Sequence, residues 1–395
     1  MSQRQRLTQA LLGVFGTAAL AAVLTMSGCG GGGVSVSDTT QGAFPLALPP
    51  GFPTPRVPTS NPLTEAKVAL GRFLFYDKRL SGNGTQACAS CHHQNKAFTD
   101  GLALAIGSTG EVHPRNAQGL ANAVYHPTLT WANPSLLSLE AQMQVPLFGD
   151  SPVEMGINDQ NKDEVLGRLL ADARYPVLFA QAFPGESTPI SWGNITLAVA
   201  SFQRTLISGN SKFDRAQRGL EVLTPAEQRG QALFFGEKAE CFHCHSGFNF
   251  NDQVVHASTA VLSTPFHNTG LYNLGNTGNF PPGNQGLFEF TNRLNDRGLF
   301  RAPSLRNVEV TGPYMHDGSV ATLEEVLDFY AAGGRLITTG PNAGDGRLHP
   351  NKSDLISLID LNAQEKADIV AFLKTLTDHD FLRNPKFSDP FAAPR

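Results

Sequence analysis

The chain has 395 residues and a net charge of −4, so it lacks the basic excess of a nucleic-acid-binding protein. Charged residues make up 16% and hydrophobic ones 41%, with 39 glycines and 26 prolines. This balance excludes a disordered chain and predicts a buried core crossed by long ordered loops. The length allows two or three domains.

The amino terminus reads first. Arg4 and Arg6 precede an uncharged apolar run from Leu7 to Met26, followed by Ser27, Gly28 and Cys29. A basic start, an apolar stretch and small residues predict an export signal over residues 1–28. A permanent membrane helix is the competing reading. The tether Gly30–Gly33 argues against it. Export predicts a periplasmic protein, and the order Ser-Gly-Cys also resembles a lipoprotein signal, an alternative in which Cys29 is a lipidated first residue, although Met26 stands where leucine is usual. Residues 29–60 read as a Gly-, Ser- and Pro-rich linker.

The four other cysteines fall in two pairs, each followed by histidine: Cys88-Ala89-Ser90-Cys91-His92 and Cys241-Phe242-His243-Cys244-His245. C-x-x-C-H is the pattern of covalent haem attachment. Two thiols add across the haem vinyl groups, and the adjacent imidazole becomes the proximal iron ligand. A disulfide framework suits a much shorter chain. A zinc site would need the two distant pairs to meet. Two haem c groups are therefore expected, on Cys88, Cys91, Cys241 and Cys244, with His92 and His245 as iron ligands.

The surroundings of the two motifs repeat. Gly71-Arg72-Phe73-Leu74-Phe75 precedes the first and Gly230-Gln231-Ala232-Leu233-Phe234-Phe235 the second. Phe202-Gln203-Arg204-Thr205-Leu206 follows the first and Phe372-Leu373-Lys374-Thr375-Leu376 the second. An amphipathic helix is predicted to open each unit and another to close it. Thr224-Pro225-Ala226-Glu227 and Asn362 with Glu365 are helix-start signals. The fold class expected is mostly α, with two cytochrome c-like haem domains at about 61–210 and 218–395. Residues 256–300 read as loop. Trp192 falls in a Ser-, Pro- and Gly-rich stretch and is also expected in a loop.

A further helix is predicted from Thr322, with Leu323, Val326, Leu327 and Tyr330 on one face and Gly333-Gly334 as its stop. Periodicity alone makes Tyr330 a core residue. Only Met143, Met155 and Met315 remain after the signal as thioether ligands.

Arg301-Ala302-Pro303-Ser304-Leu305-Arg306-Asn307, Thr311-Gly312-Pro313-Tyr314-Met315-His316-Asp317-Gly318 and Thr322-Leu323-Glu324-Glu325 resemble the bacterial di-haem cytochrome c peroxidase superfamily. The resemblance runs from about residue 61 to the end. Phe329-Tyr330-Ala331-Ala332-Gly333-Gly334 stands where ordinary peroxidases carry a ligating methionine, which is similar to the MauG-like branch. Phe44-Pro45 to Pro58, Leu80 to Gly84, Gly107 to His113, Val145 to Gly149 and Phe266 to Asn273 resemble, more narrowly, the MbnH-type enzymes of methanobactin operons.

The resemblance implies an oxidase. Hydrogen peroxide would react at the haem of His92, and a bis-Fe(IV)-type state would be spread over both irons. Tyr330 would ligate the second iron, a hard donor suited to high oxidation states. Glu154 would act as general base and then acid, with Gln142 and Pro146 beside it. Pro146 and Glu154 stand eight residues apart here, against six in the peroxidase pattern. Trp131 would lie between the haems. A calcium ion would be held by Asn122, Thr311 and Pro313. His113 and His126 are rivals for a sixth ligand on the first iron. The substrate implied is a periplasmic, copper-binding partner protein, oxidised at tryptophan to kynurenine. The competing functions are a peroxidase fed by a small redox protein and a non-enzymatic di-haem electron carrier.

Overall fold

A computed structural model describes residues 42–392. The expected export signal and Cys29 lie outside the described residues. Among the described residues the architecture is mostly helical, with one two-stranded ribbon, Leu336–Ile337 against Gly344–Asp345.

Six helices carry the argument. α1 spans Glu65–Tyr76, α2 Leu139–Phe148, α3 Trp192–Arg204, α4 Pro225–Phe234, α5 Leu323–Ala331 and α6 Ala363–Lys374. The Thr64 hydroxyl caps α1 by accepting from the Lys67 amide. α4 opens on the reciprocal Thr224–Glu227 box with Pro225 in its first turn, and α6 on the Asn362–Glu365 box, as their sequences predict. Trp192 corrects its expected place in a loop: the Ser191 hydroxyl accepts from the Asn194 amide, and this cap makes Trp192 the first residue of α3.

The predicted repeat is visible as two helix pairs. α1 lies against α3, and α4 against α6. Each contact is made at a glycine. A Cβ on Gly71 would stand 1.9 Å from the Ala198 carbonyl oxygen, and one on Gly230 would stand 1.8 Å from the Asp368 carbonyl oxygen. Only glycine lets the backbones come so close. Apolar side chains pack around each crossing. Leu70, Leu74, Phe75 and Phe202 are fully buried in one core cluster, and Ile369, Phe372 and Leu376 in another. Burying each such side chain stabilises the fold by about 1.5–3 kcal/mol.

The carboxy-terminal tail departs from the expected boundaries. Phe381, Leu382 and Phe387, assigned by sequence to the unit 218–395, belong to the first core cluster. The Tyr76 hydroxyl donates to Phe387 O at 2.6 Å, and Gln94 Nε2 donates to Asn384 O at 2.8 Å. The internal repeat could not reveal this return, because the tail has no counterpart after α3.

Residues 256–300 are irregular apart from the short helices Phe288–Thr291 and Leu294–Asp296, as predicted. Buried asparagines order the region. Asn268 Oδ1 accepts from the Gly270 amide, and Asn273 Oδ1 accepts from the Gly278 amide while its Nδ2 donates to Asp345 O. These bonds satisfy backbone groups that a loop would otherwise leave unpaired.

Candidate active site

The two C-x-x-C-H motifs fold alike. Cys88–Cys91 form one helical turn and Cys241–His243 a 3₁₀ turn. His92 Nδ1 lies 2.6 Å from Phe98 O, and His245 Nδ1 lies 3.1 Å from Phe250 O. Both phenylalanines have positive φ, 66° and 50°, which turns each carbonyl back on its motif. A backbone carbonyl beside Nδ1 accepts a hydrogen bond from it, which keeps the proton on Nδ1 and leaves Nε2 free for a metal. Burial lowers the pKa of both imidazoles, which keeps them neutral. The four motif cysteines form no disulfide among the described residues, and burial pushes Cys88 and Cys241 up to about 12.

The motifs open onto two cavities. The first is lined by Cys88, Cys91, His92, Gln142, Pro146 and Glu154. Glu154 is clamped through its neighbours. Pro146 O in α2 accepts from the Met155 amide at 2.9 Å, and Glu154 O accepts from the Ser108 amide at 2.8 Å. Gly107 permits this approach: its Cβ would fall 1.8 Å from Val153 O. The Glu154 carboxyl makes no hydrogen bond to a described residue, and burial pushes its pKa up to about 7. A carboxyl with that pKa can both take and return a proton near neutrality. His113 lines the same cavity and its pKa is lowered by burial.

The second cavity is lined by Cys241, Cys244, His245 and the predicted face of α5: Leu323, Val326, Leu327 and Tyr330. The Thr322 hydroxyl caps α5, and Gly333 and Gly334, with φ 69° and 125°, end it. The Tyr330 hydroxyl bonds to no described residue. Burial, with the thiols of Cys244 and Cys241 nearby, holds its pKa well above the ordinary range. The protein alone thus favours the neutral phenol, and ionisation needs a cation opposite it.

Trp131 and His126 line both cavities. The Trp131 indole donates to Asn116 O at 2.9 Å and meets the His316 ring edge-on at 6.5 Å. His126, a candidate ligand by sequence, has Nε2 3.4 Å from Asn249 Nδ2.

The calcium expectation needs one correction. Asn122 is wholly buried and its amide is spent on protein: Oδ1 accepts from the Ser208 amide, and Nδ2 donates to Ser208 O and Asn249 Oδ1. Asn116, not Asn122, lines the second cavity with Thr311 and Pro313. Its amide N–H donates to His316 O, and its Nδ2 to Leu102 O. Asn116 Oδ1, Thr311 O and Pro313 O accept no hydrogen bond from described residues.

Sequence reasoning also missed His267. Its Nε2 lies 2.5 Å from Asp252 Oδ2, and Cys244, Asp252 and His267 bring donor atoms within 4.8 Å of one another. Burial opposes the charged ring, but Asp252 and Cys244 raise its pKa to about 10. No ligand-like spacing marks the three, which stand far apart on loops. Cys244 belongs to the haem motif, so the cluster is read as the surroundings of that sulfur.

Free thiol pairs beside a cavity, imidazoles with Nε2 available and an unbonded phenol suit covalently bound haem. The architecture and these sites define a c-type haem protein with two attachment sites. The family profile for di-haem cytochrome c peroxidase matches residues 65–221. The methylamine utilization protein MauG of Methylorubrum extorquens is 36% identical over 352 residues, covering 88% of this chain and 89% of its own. Cytochrome-c peroxidase IdrP1 of Denitromonas iodatirespirans is 37% identical, covering 84% and 87%. The crystal structure of a MauG-like protein associated with microbial copper homeostasis is 56% identical, with a TM-score of 0.87 over 89% of this chain and all of that one. The chain belongs to the di-haem cytochrome c peroxidase and MauG family. It is thus a peroxide-using oxidoreductase, and its family implies two haem c groups.

Proposed function

We propose that this chain uses hydrogen peroxide to oxidise a partner protein at tryptophan, giving kynurenine. When bound, the two haems supply peroxide activation and storage of oxidising equivalents. Glu154 takes a proton from peroxide and returns it to the departing oxygen, beside Gln142. Trp131, in the wall of both cavities, is the route between them. The two haem units are 61–210 and the chain from 218 up to the returning tail at Phe381, and the α1–α3 and α4–α6 pairs support that division. Asn116, Thr311 and Pro313 present the oxygens for a calcium ion. The site of action is the periplasm, with a lipid anchor at Cys29.

Tyr330 carries the reading. It stands in the cavity of Cys241, Cys244 and His245 with an unbonded hydroxyl, as a phenolate ligand requires. The relative linked to copper homeostasis supports a copper-binding partner. A second reading, peroxide reduction with electrons from a small redox protein, is favoured by the relative named cytochrome-c peroxidase.

Peroxide is supplied to the protein with either a copper-binding partner or a reduced small cytochrome. Mass gain at a partner tryptophan supports the first reading, and oxidation of the cytochrome alone supports the second. Tyr330→Met should keep both covalent haems, raise the potential of the second and abolish partner oxidation. Unchanged partner oxidation in this variant removes Tyr330 from the mechanism.

A further inference from the structure

Three arginines among the described residues are buried: Arg204, Arg301 and Arg306. Two of them meet an acid. Arg204 lies 2.7 Å from Glu140, and Arg306 lies 2.9 Å from Asp214. Arg301, 4% exposed, makes no ion pair with a described residue. Its Nη1 donates to Thr128 O at 3.2 Å and its Nη2 to Gln118 Oε1 at 2.9 Å, both neutral acceptors. Its Nε has no partner, and neither does the buried Nε2 of Gln118. Both side chains line the second cavity; Arg301 lines that cavity alone, whereas Gln118 also borders the first. Asp252 gives Oδ2 to His267, and its field offsets only part of a burial penalty that draws the Arg301 pKa down to about 10.

A buried guanidinium without a counter-charge is strongly unfavourable, so whatever fills this cavity must bring an anion. A planar fork of N–H donors matches a carboxylate best. Haem carries two carboxylates on an otherwise apolar ring, and the cavity that holds Arg301 also holds one pair of haem thiols.

We propose that Arg301 is the counter-ion of the second haem: its Nε and Gln118 Nε2 receive a propionate of the haem held by Cys241, Cys244 and His245. The inference rests on family membership and not on the identity of the substrate. It has a consequence for charge. A fixed cation beside the second haem stabilises the reduced iron and raises its potential. The Arg301 amide also donates to Trp131 O at 2.9 Å, which ties this charge to the indole shared by both cavities.

The test is a redox titration of the holoprotein and of Arg301→Met, Arg301→Lys and Gln118→Leu, with covalent haem counted by mass. The second haem is the one whose absorbance also moves in Tyr330→Met. Arg301→Met should lower the second haem's potential far more than the first's. Arg301→Lys should recover most of that shift, and Gln118→Leu should give a smaller shift in the same direction. An unchanged second potential, an equal shift at both haems, or a lysine no better than methionine overturns the proposal. Should Arg301→Met fail to retain haem, the other two variants decide. A shift at the second haem in Gln118→Leu, with haem retained in Arg301→Lys, supports the assignment, and normal potentials in Gln118→Leu overturn it.

Discussion

Glu154 is the residue whose environment and proposed role agree most closely. Burial alone raises its pKa to about 7, and the carboxyl makes no ion pair with a described residue. The sign for stability follows. The folded state favours the protonated acid, so ionisation costs stability as pH rises from the ordinary value of 4.5 towards 7. For the reaction the sign is opposite, because a general base works when deprotonated. The rate of reaction with peroxide should therefore rise through pH about 7 and level off above it. Glu154→Gln should lower that rate by about 10²–10⁴-fold and flatten the profile. Stopped-flow mixing with peroxide across pH 5–9 reads both. A steep profile in the glutamine variant would assign the ionisation to another group, with His113 in the same cavity first to be examined.

The paired helices show how far local pattern reaches. Capping boxes, the α5 face and the two glycine-bearing helices were legible because each is encoded within a few turns. The glycines were visible as repeated letters, but the reason for them was not, since it lies in the Ala198 and Asp368 carbonyls of distant helices. Asn122 was misread for a related reason. Its type suits a calcium ligand, yet its amide is fully used by Ser208 and Asn249, more than 80 residues away. Arg301 and His267 escaped notice because burial without a partner, or with one on another loop, leaves no spacing signature. The crossings give a prediction. Gly71→Ala and Gly230→Ala must each push two helix backbones apart, at about 1–3 kcal/mol. Denaturant melts of the haem-loaded variants should show lower midpoints. Since the crossings are alike, the two losses should be similar, and a neutral Gly230→Ala would mean that α6 shifts freely.

The described chain is tied together by long-range elements that the repeat does not contain. The tail brings Phe381 to Phe98, with ring centroids 5.7 Å apart, and the Phe98 carbonyl is the group that orients His92. Phe381→Ala should cost about 3–5 kcal/mol. It should also disturb the absorbance of the first haem more than that of the second, despite lying beyond the second motif in sequence. The shared wall makes the other long-range link. Trp131 is fixed by its indole bond to Asn116 O and by its own carbonyl, which accepts from Arg301. Replacing it by phenylalanine removes the N–H and the more easily oxidised ring but leaves an aromatic of smaller volume. Glu154 and His92 are untouched by the change, so Trp131→Phe should consume peroxide at close to the normal initial rate. Events at the second cavity should suffer instead. Partner oxidation per peroxide consumed should fall, and the spectral response of the second haem should lag behind that of the first. Rapid-scan absorbance with product counting by mass separates the two quantities. If both survive unchanged, the oxidising equivalents cross elsewhere, and His126 is the other ring in both walls.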